Sequence, residues 1–112
     1  MASIDEIWLV DFGDPFPGEP SDRRPALVIG PPRSFGDGNP YAILVPFSTT
    51  RRGLALHVEV EPTEGSGLRE VSYAECEKLR SVSRRRLIHR LGRADPVTIA
   101  SVDYVVRRLL DH

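Results

Sequence analysis

A small, strongly bent antiparallel sheet closed by one C-terminal helix is the fold the sequence predicts, on three observations. Ten prolines and nine glycines, most of them in the first two-thirds of the 112 residues, cut the chain into short pieces, the rhythm of an all-β protein. Between them lie short runs rich in β-branched and aromatic side chains. Beyond Pro96 the apolar spacing changes to three and four, the period of a helix. The length predicts one domain over residues 1–112, large enough to hold a core without staples.

The elements follow in order. Residues 7–12 (IWLVDF) read as a first strand. Residues 13–23 (GDPFPGEPSDR) carry three prolines and two glycines and form a long loop, the kind that is more often functional than idle. Residues 26–30 (ALVIG) are a second strand, with Pro25 tolerated at its first position because no ladder donor is lost there. After a second loop at 31–40, residues 41–46 (YAILVP) are apolar on both faces and read as a central strand. Residues 54–60 alternate: Leu54, Leu56, Val58 and Val60 face the core, while Ala55, His57 and Glu59 take the polar face. Further short strands are predicted at 70–74, 79–82 and 87–91. In the last segment Asp95 caps and Pro96 suits the first helical turn. Ile99, Val102, Val106, Leu109 and Leu110 then form an apolar stripe, and Arg107 and Arg108 complement the helix dipole.

Composition removes several function classes. The single cysteine, Cys76, precludes an internal disulfide framework and a multi-thiolate metal site, and fits a reducing cytoplasm. The N-terminus carries acids where a signal peptide has positive charge, and no apolar run approaches the roughly twenty residues that span a bilayer. The sequence has no CxxC, HExxH or GxxxxGK motif, its three histidines are scattered, and its acids form no DxD pair. Charge is uneven: residues 1–50 hold three basic groups against seven acids, whereas 79–112 hold eight arginines against three acids. Such a distribution permits a local anion-binding surface on a nearly neutral molecule. Arg84 and Arg85 read as solvated surface.

What remains are arginines at strand edges with hydroxyls beside them: Arg23 and Arg24, then Ser48 and Thr49, then Arg80 and Ser81. Arginine offers five donors in a rigid fork matched to phosphate oxygens, and a hydroxyl both donates and accepts. A phosphodiester suits this set; an ordinary turn accounts equally well for the hydroxyls after the third strand.

Five motifs in order decide between them. DEIWLVDF stands at 5–12, the proline- and glycine-containing loop with Glu19 follows, RPALV stands at 24–28, VPFST at 45–49, and KLRSVSRRRL at 78–87. With the amphipathic last segment, they resemble the MazF/PemK/Kid family of bacterial type II toxins over nearly the whole chain. The resemblance implies an SH3-like barrel with a terminal helix, a homodimer, and a metal- and cofactor-independent endoribonuclease acting on single-stranded RNA. The RNA's 2′-hydroxyl would attack the adjacent phosphorus, leaving 2′,3′-cyclic phosphate and 5′-hydroxyl ends. Arg24 takes the place of the family's arginine, assigned to acid–base work and to stabilising the phosphorane. Ser48 stands where the family has threonine, with Thr49 one register on. Glu19, Arg23, Thr49, Lys78, Arg80 and Ser81 are expected to meet RNA, Lys78 replacing the usual glutamine and so altering base preference. A MazE-like antitoxin is the implied partner, with no membrane. Part of the helix stripe, or Val45 and Phe47, belongs either to the core or to the dimer interface. The runner-up is a same-fold, gyrase-inhibiting toxin of the CcdB type, acting by protein binding; a non-catalytic SH3-like binding module is a third reading.

Overall fold

The two longest strands, β2 (Arg23–Gly30) and β3 (Tyr41–Ser48), pair in the middle of the sheet. The computed structural model describes residues 2–14, 16, 17, 22–36 and 38–112. The other strands are β1 (Glu6–Asp11), β4 (His57–Val60), β5 (Ser72–Glu75), β6 (Arg80–Ser83) and β7 (Leu87–Arg93), followed by the helix α1 (Pro96–Leu109). Pairing runs β4-β5-β3-β2-β1-β7, with β6 as a branch on β3.

The mainly β architecture with a C-terminal helix is as the sequence predicts, but the sheet does not close into a barrel. Its path ends at β4 and β7, because β3 divides one edge between two partners. Residues 41–44 of β3 pair with β6, and Phe47 and Ser48 pair with β5. The sheet folds over at that division instead of joining its ends.

Alternation sends neighbouring residues to opposite faces, and the two faces carry two cores. Ile7, Leu27, Val45 and Phe47 pack with Val60, Ala74 and Val102 beneath α1. Val10, Phe12, Ala26, Val28, Ala42 and Leu44 pack with Val82 on the other side. Val45 and Phe47 are buried within the single chain, so they are core and not a surface held for a second copy. On α1, Asp95 accepts a hydrogen bond from the Thr98 amide at 2.8 Å, the expected cap. Ile99, Val102, Val105 and Val106 meet the sheet, while Leu109 and Leu110 of the predicted stripe stay exposed.

Three sequence expectations change. The strand predicted over 54–60 is ordered only at His57–Val60, because β5 offers four residues and pairs with those four alone. Pro25 is not the first residue of its strand: β2 begins at Arg23, and Pro25 pairs with Leu9 of β1. The ladder with β3 begins one residue later, at Ala26↔Pro46, beyond the position that has no amide hydrogen to give. Arg84 is also not simply solvated, since its guanidinium donates to the Asn39 and Ala2 carbonyls at 2.8 and 3.1 Å.

Candidate active site

A pocket of about 340 Å³ opens where β2 and β3 part, between residues 22–25 and 47–50. Its position follows from the register. Ala26 faces Pro46, and Leu27 faces Val45; continuing the same antiparallel register by two residues sets Arg24 opposite Ser48. Pro25 stops the ladder between them, so the space there is open to a ligand. Arg24 remains fixed on its other side by pairing with Val10 of β1. The Ser48 hydroxyl accepts a hydrogen bond from the Thr50 amide at 3.1 Å, which turns the chain sharply and leaves the hydroxyl hydrogen to donate. Thr49 and Thr50 line the same pocket from exposed positions.

The sequence reading missed what lies behind Arg24. Glu75, the last residue of β5, is 1 % exposed, and four basic side chains approach its carboxylate. Arg24 Nη1 is 3.7 Å from Oε1, while Arg52 Nε is 3.8 Å, Lys78 Nζ 3.4 Å and His57 Nε2 4.0 Å from Oε2. His57 is the direct cross-strand partner of Glu75 and its side chain is only 3 % exposed, so the polar face assigned to it is a buried one. His57 Nε2 also lies 2.8 Å from Glu77 Oε2. The fold thus gathers a histidine and two glutamates within 4.8 Å, although the acids looked scattered in sequence. The cations around Glu75 oppose the entry of a further divalent cation there.

The remaining predicted residues divide. Arg23 lines the pocket beside Arg24 and also borders a hollow with Asp11, Asp14 and Asp22. Lys78 joins the site through Glu75. Arg80 and Ser81 are not in the pocket: they pair with Leu44 and Ile43, about 13 and 17 Å along β3 from Ser48 at the usual strand rise. There Arg80 lies over the Phe12 ring, 5.8 Å from its centre. Glu19 lies outside the described residues. Arg52 is a basic neighbour of the site that no motif pointed to; only the fold brings it to Glu75.

Among the described residues no helix is long and apolar enough to cross a membrane. Comparison with known proteins gives the same picture at three levels. A model of the PemK-like, MazF-like toxins of type II toxin–antitoxin systems matches residues 5–110. A probable endoribonuclease MazF of Mycolicibacterium smegmatis is 33% identical over 99 residues, covering 88% of this chain and 86% of the relative. The crystal structure of MazF from Deinococcus radiodurans superimposes with a TM-score of 0.82 at 22% identity, over 99% of this chain and 97% of that one. An endoribonuclease in complex with its cognate antitoxin, from a mycobacterial species, superimposes with a TM-score of 0.80 at 17% identity, over 99% and 96% of the two chains. The sheet with its terminal helix, the β2–β3 pocket and the near-complete family match lead to one conclusion: this chain belongs to the PemK-like, MazF-like toxins of type II toxin–antitoxin systems.

Proposed function

We propose that this endoribonuclease toxin cuts single-stranded RNA in the pocket between β2 and β3, with Arg24 and Ser48 as its working residues. The observation that carries the reading is their register: a guanidinium and a hydroxyl stand across adjacent strands in one open pocket. In the step we envisage, the 2′-hydroxyl attacks the neighbouring phosphorus, the bond to the 5′-oxygen breaks, and a 2′,3′-cyclic phosphate and a 5′-hydroxyl result. The proton lost by the 2′-hydroxyl is matched by the one gained at the 5′-oxygen, so no co-reactant is consumed. Arg24 is a fixed cation aimed at the charge that develops on the phosphorane, a form of stabilisation that requires no proton loss. Ser48 holds a phosphate oxygen or the 2′-hydroxyl. Its place inside the strand, opposite Arg24, favours it over Thr49. Single strands suit the site because unpaired bases can be splayed over a strand-edge pocket, which a duplex cannot supply.

A MazE-like antitoxin is the proposed partner, supported by the relative whose structure holds its cognate antitoxin. A homodimer in the cytoplasm completes the reading. The test is direct: the purified protein cuts a single-stranded RNA in EDTA, and Arg24→Ala lowers the rate by about a thousandfold with an unchanged circular dichroism spectrum. Undiminished cutting by a folded Arg24→Ala protein refutes the site. A wild type that cuts nothing but blocks gyrase supercoiling refutes the activity.

A further inference from the structure

At the opposite end of β2 from Arg24 a second pocket, of about 410 Å³, opens between residues 2–5 and 30–36. Three arginines line it, from distant parts of the chain: Arg33 from the loop after β2, Arg84 from the turn after β6, and Arg93 from the end of β7. Asp5 is the one acid among the lining residues. Like charges gathered in this way repel one another unless something neutralises them. Arg90 and Arg107 each have a carboxylate oxygen at 2.9 Å. Among the described residues, none of Arg33, Arg84 and Arg93 is ion-paired. Arg84 is fixed instead by carbonyls, its Nε and Nη1 donating to Asn39 and Ala2 at 2.8 and 3.1 Å. Carbonyls orient a guanidinium without cancelling its charge, so the pocket stays positive and focuses its field on an incoming anion.

Two further observations select the anion. Phe35 stands between the lining residues Arg33 and Gly36 and is 77 % exposed, an aromatic ring in solvent close to a cation. That combination suits a single-stranded nucleotide, whose base stacks while its phosphate takes the arginine. An acidic peptide needs only the charge. The pocket also stands at the end of a basic track. β6 runs along β3 from Arg80, at the end nearer Ser48, to Ser83, opposite Tyr41, and Arg84 and Arg85 follow directly. Along β2 the distance from Arg24 to Gly30 is about 20 Å at the usual strand rise.

Resting on the reading that RNA is cut between β2 and β3, we propose that this pocket is a second phosphate site for the same strand. Arg33, Arg84 and Arg93 hold backbone phosphates remote from the cut, and Phe35 stacks a neighbouring base. The strand is thereby anchored at both ends of β2, and the anchor acts on affinity and not on the chemical step. Roughly six nucleotides at stacked spacing separate the two sites, so only a longer substrate meets the second one.

The experiment compares two fluorescent RNA oligonucleotides with one cut site, carrying about two and about ten nucleotides on either side of it. Each is made with a 2′-deoxy nucleotide at the cut for binding by anisotropy, and with ribose there for kinetics. Arg33→Ala combined with Arg93→Ala is expected to weaken binding of the long oligonucleotide about tenfold and to raise its KM to match, with kcat unchanged. The slope of log affinity against log salt falls by about 1.4, the counterions of two lost phosphate contacts. The short oligonucleotide changes by less than about twofold. Phe35→Ala weakens the long one alone, by about fivefold. Arg84 is left in place because its carbonyl bonds tie the fold, and Arg33→Ala alone carries the comparison if the double variant does not fold. An equal loss on both oligonucleotides, or long-RNA affinity within about twofold of wild type, overturns the proposal. So does a double variant that binds RNA normally and loses inorganic phosphate or a glutamate-rich peptide instead, the mark of a free-anion or acidic-peptide site. Persistent cutting by Arg24→Ala bears only on the β2–β3 pocket, because the binding comparison is read without cleavage.

Discussion

At Cys76 burial pushes the thiol up to about 11, and the charge of Glu77 adds to the effect. Its Sγ donates to the Ala74 carbonyl at 3.7 Å. At pH 8 the thiolate fraction is then roughly one in a thousand, and the thiolate is the reactive form. The native protein is therefore expected to leave Ellman's reagent unreacted at pH 8, and to release one equivalent of thionitrobenzoate once unfolded in guanidinium. Fast labelling of the folded protein contradicts this. The same scale decides what could be read in advance. Arg24 and Ser48 were legible because a motif carries each, and because arginine and serine at a strand edge are already chemically suggestive. Glu75 was not. A glutamate in sequence reads as surface, and only the meeting of β2, β4, the chain after β3 and the turn after β5 makes burial of its charge tolerable. His57 misled for a related reason: alternation gave its face correctly as the polar one, but the other strands cover that face.

Between elements, β7 makes a close backbone approach to the turn at 63–67. The Arg93 amide donates to the Gly65 carbonyl at 2.8 Å. A β-carbon on Gly92 would fall inside the van der Waals radii of Gly65 and Ser66 backbone atoms, and one on Gly67, whose φ is +73°, inside those of Leu91. Backbone cannot yield as a side chain does. Gly92→Ala is expected to cost about 2–3 kcal/mol, a fall in melting temperature of roughly 10 °C or more for a domain of this size. A thermal melt by circular dichroism measures it, and a shift under about 2 °C contradicts the close approach. The elements themselves were well marked wherever apolar pattern and turn chemistry agreed, as in β1, β3 and α1. They were misjudged where length depended on a partner. The alternation over 54–60 is real in sequence, but a strand extends only as far as its neighbour, and β5 is four residues long.

For the molecule as a whole, architecture was more legible than closure. Periodicity fixes which residues face a core, and the two faces of the sheet do collect the alternating sets. Whether a bent sheet joins its ends depends on how one strand shares its edges, which composition does not record. The proposed site has the same global character. Arg24, Ser48 and Glu75 come from β2, β3 and β5, distant in sequence and joined only through strand pairing. The pocket should accordingly vanish with the fold and not before it. In a urea titration, RNA cleavage and far-ultraviolet ellipticity are expected to fall with one midpoint, as two probes of a single cooperative transition. Loss of cleavage at clearly lower urea indicates a locally unfolding site.

The register that sets Arg24 across from Ser48 has a consequence for a cell that must make this protein. A chain still being synthesised holds its arginine early and its serine soon after, yet the carboxylate behind them arrives only with β5. Ser72 of β5 lines the same pocket, so the pocket too is unfinished until then. Only once β5 has paired with β3 does an antitoxin have that finished surface to recognise.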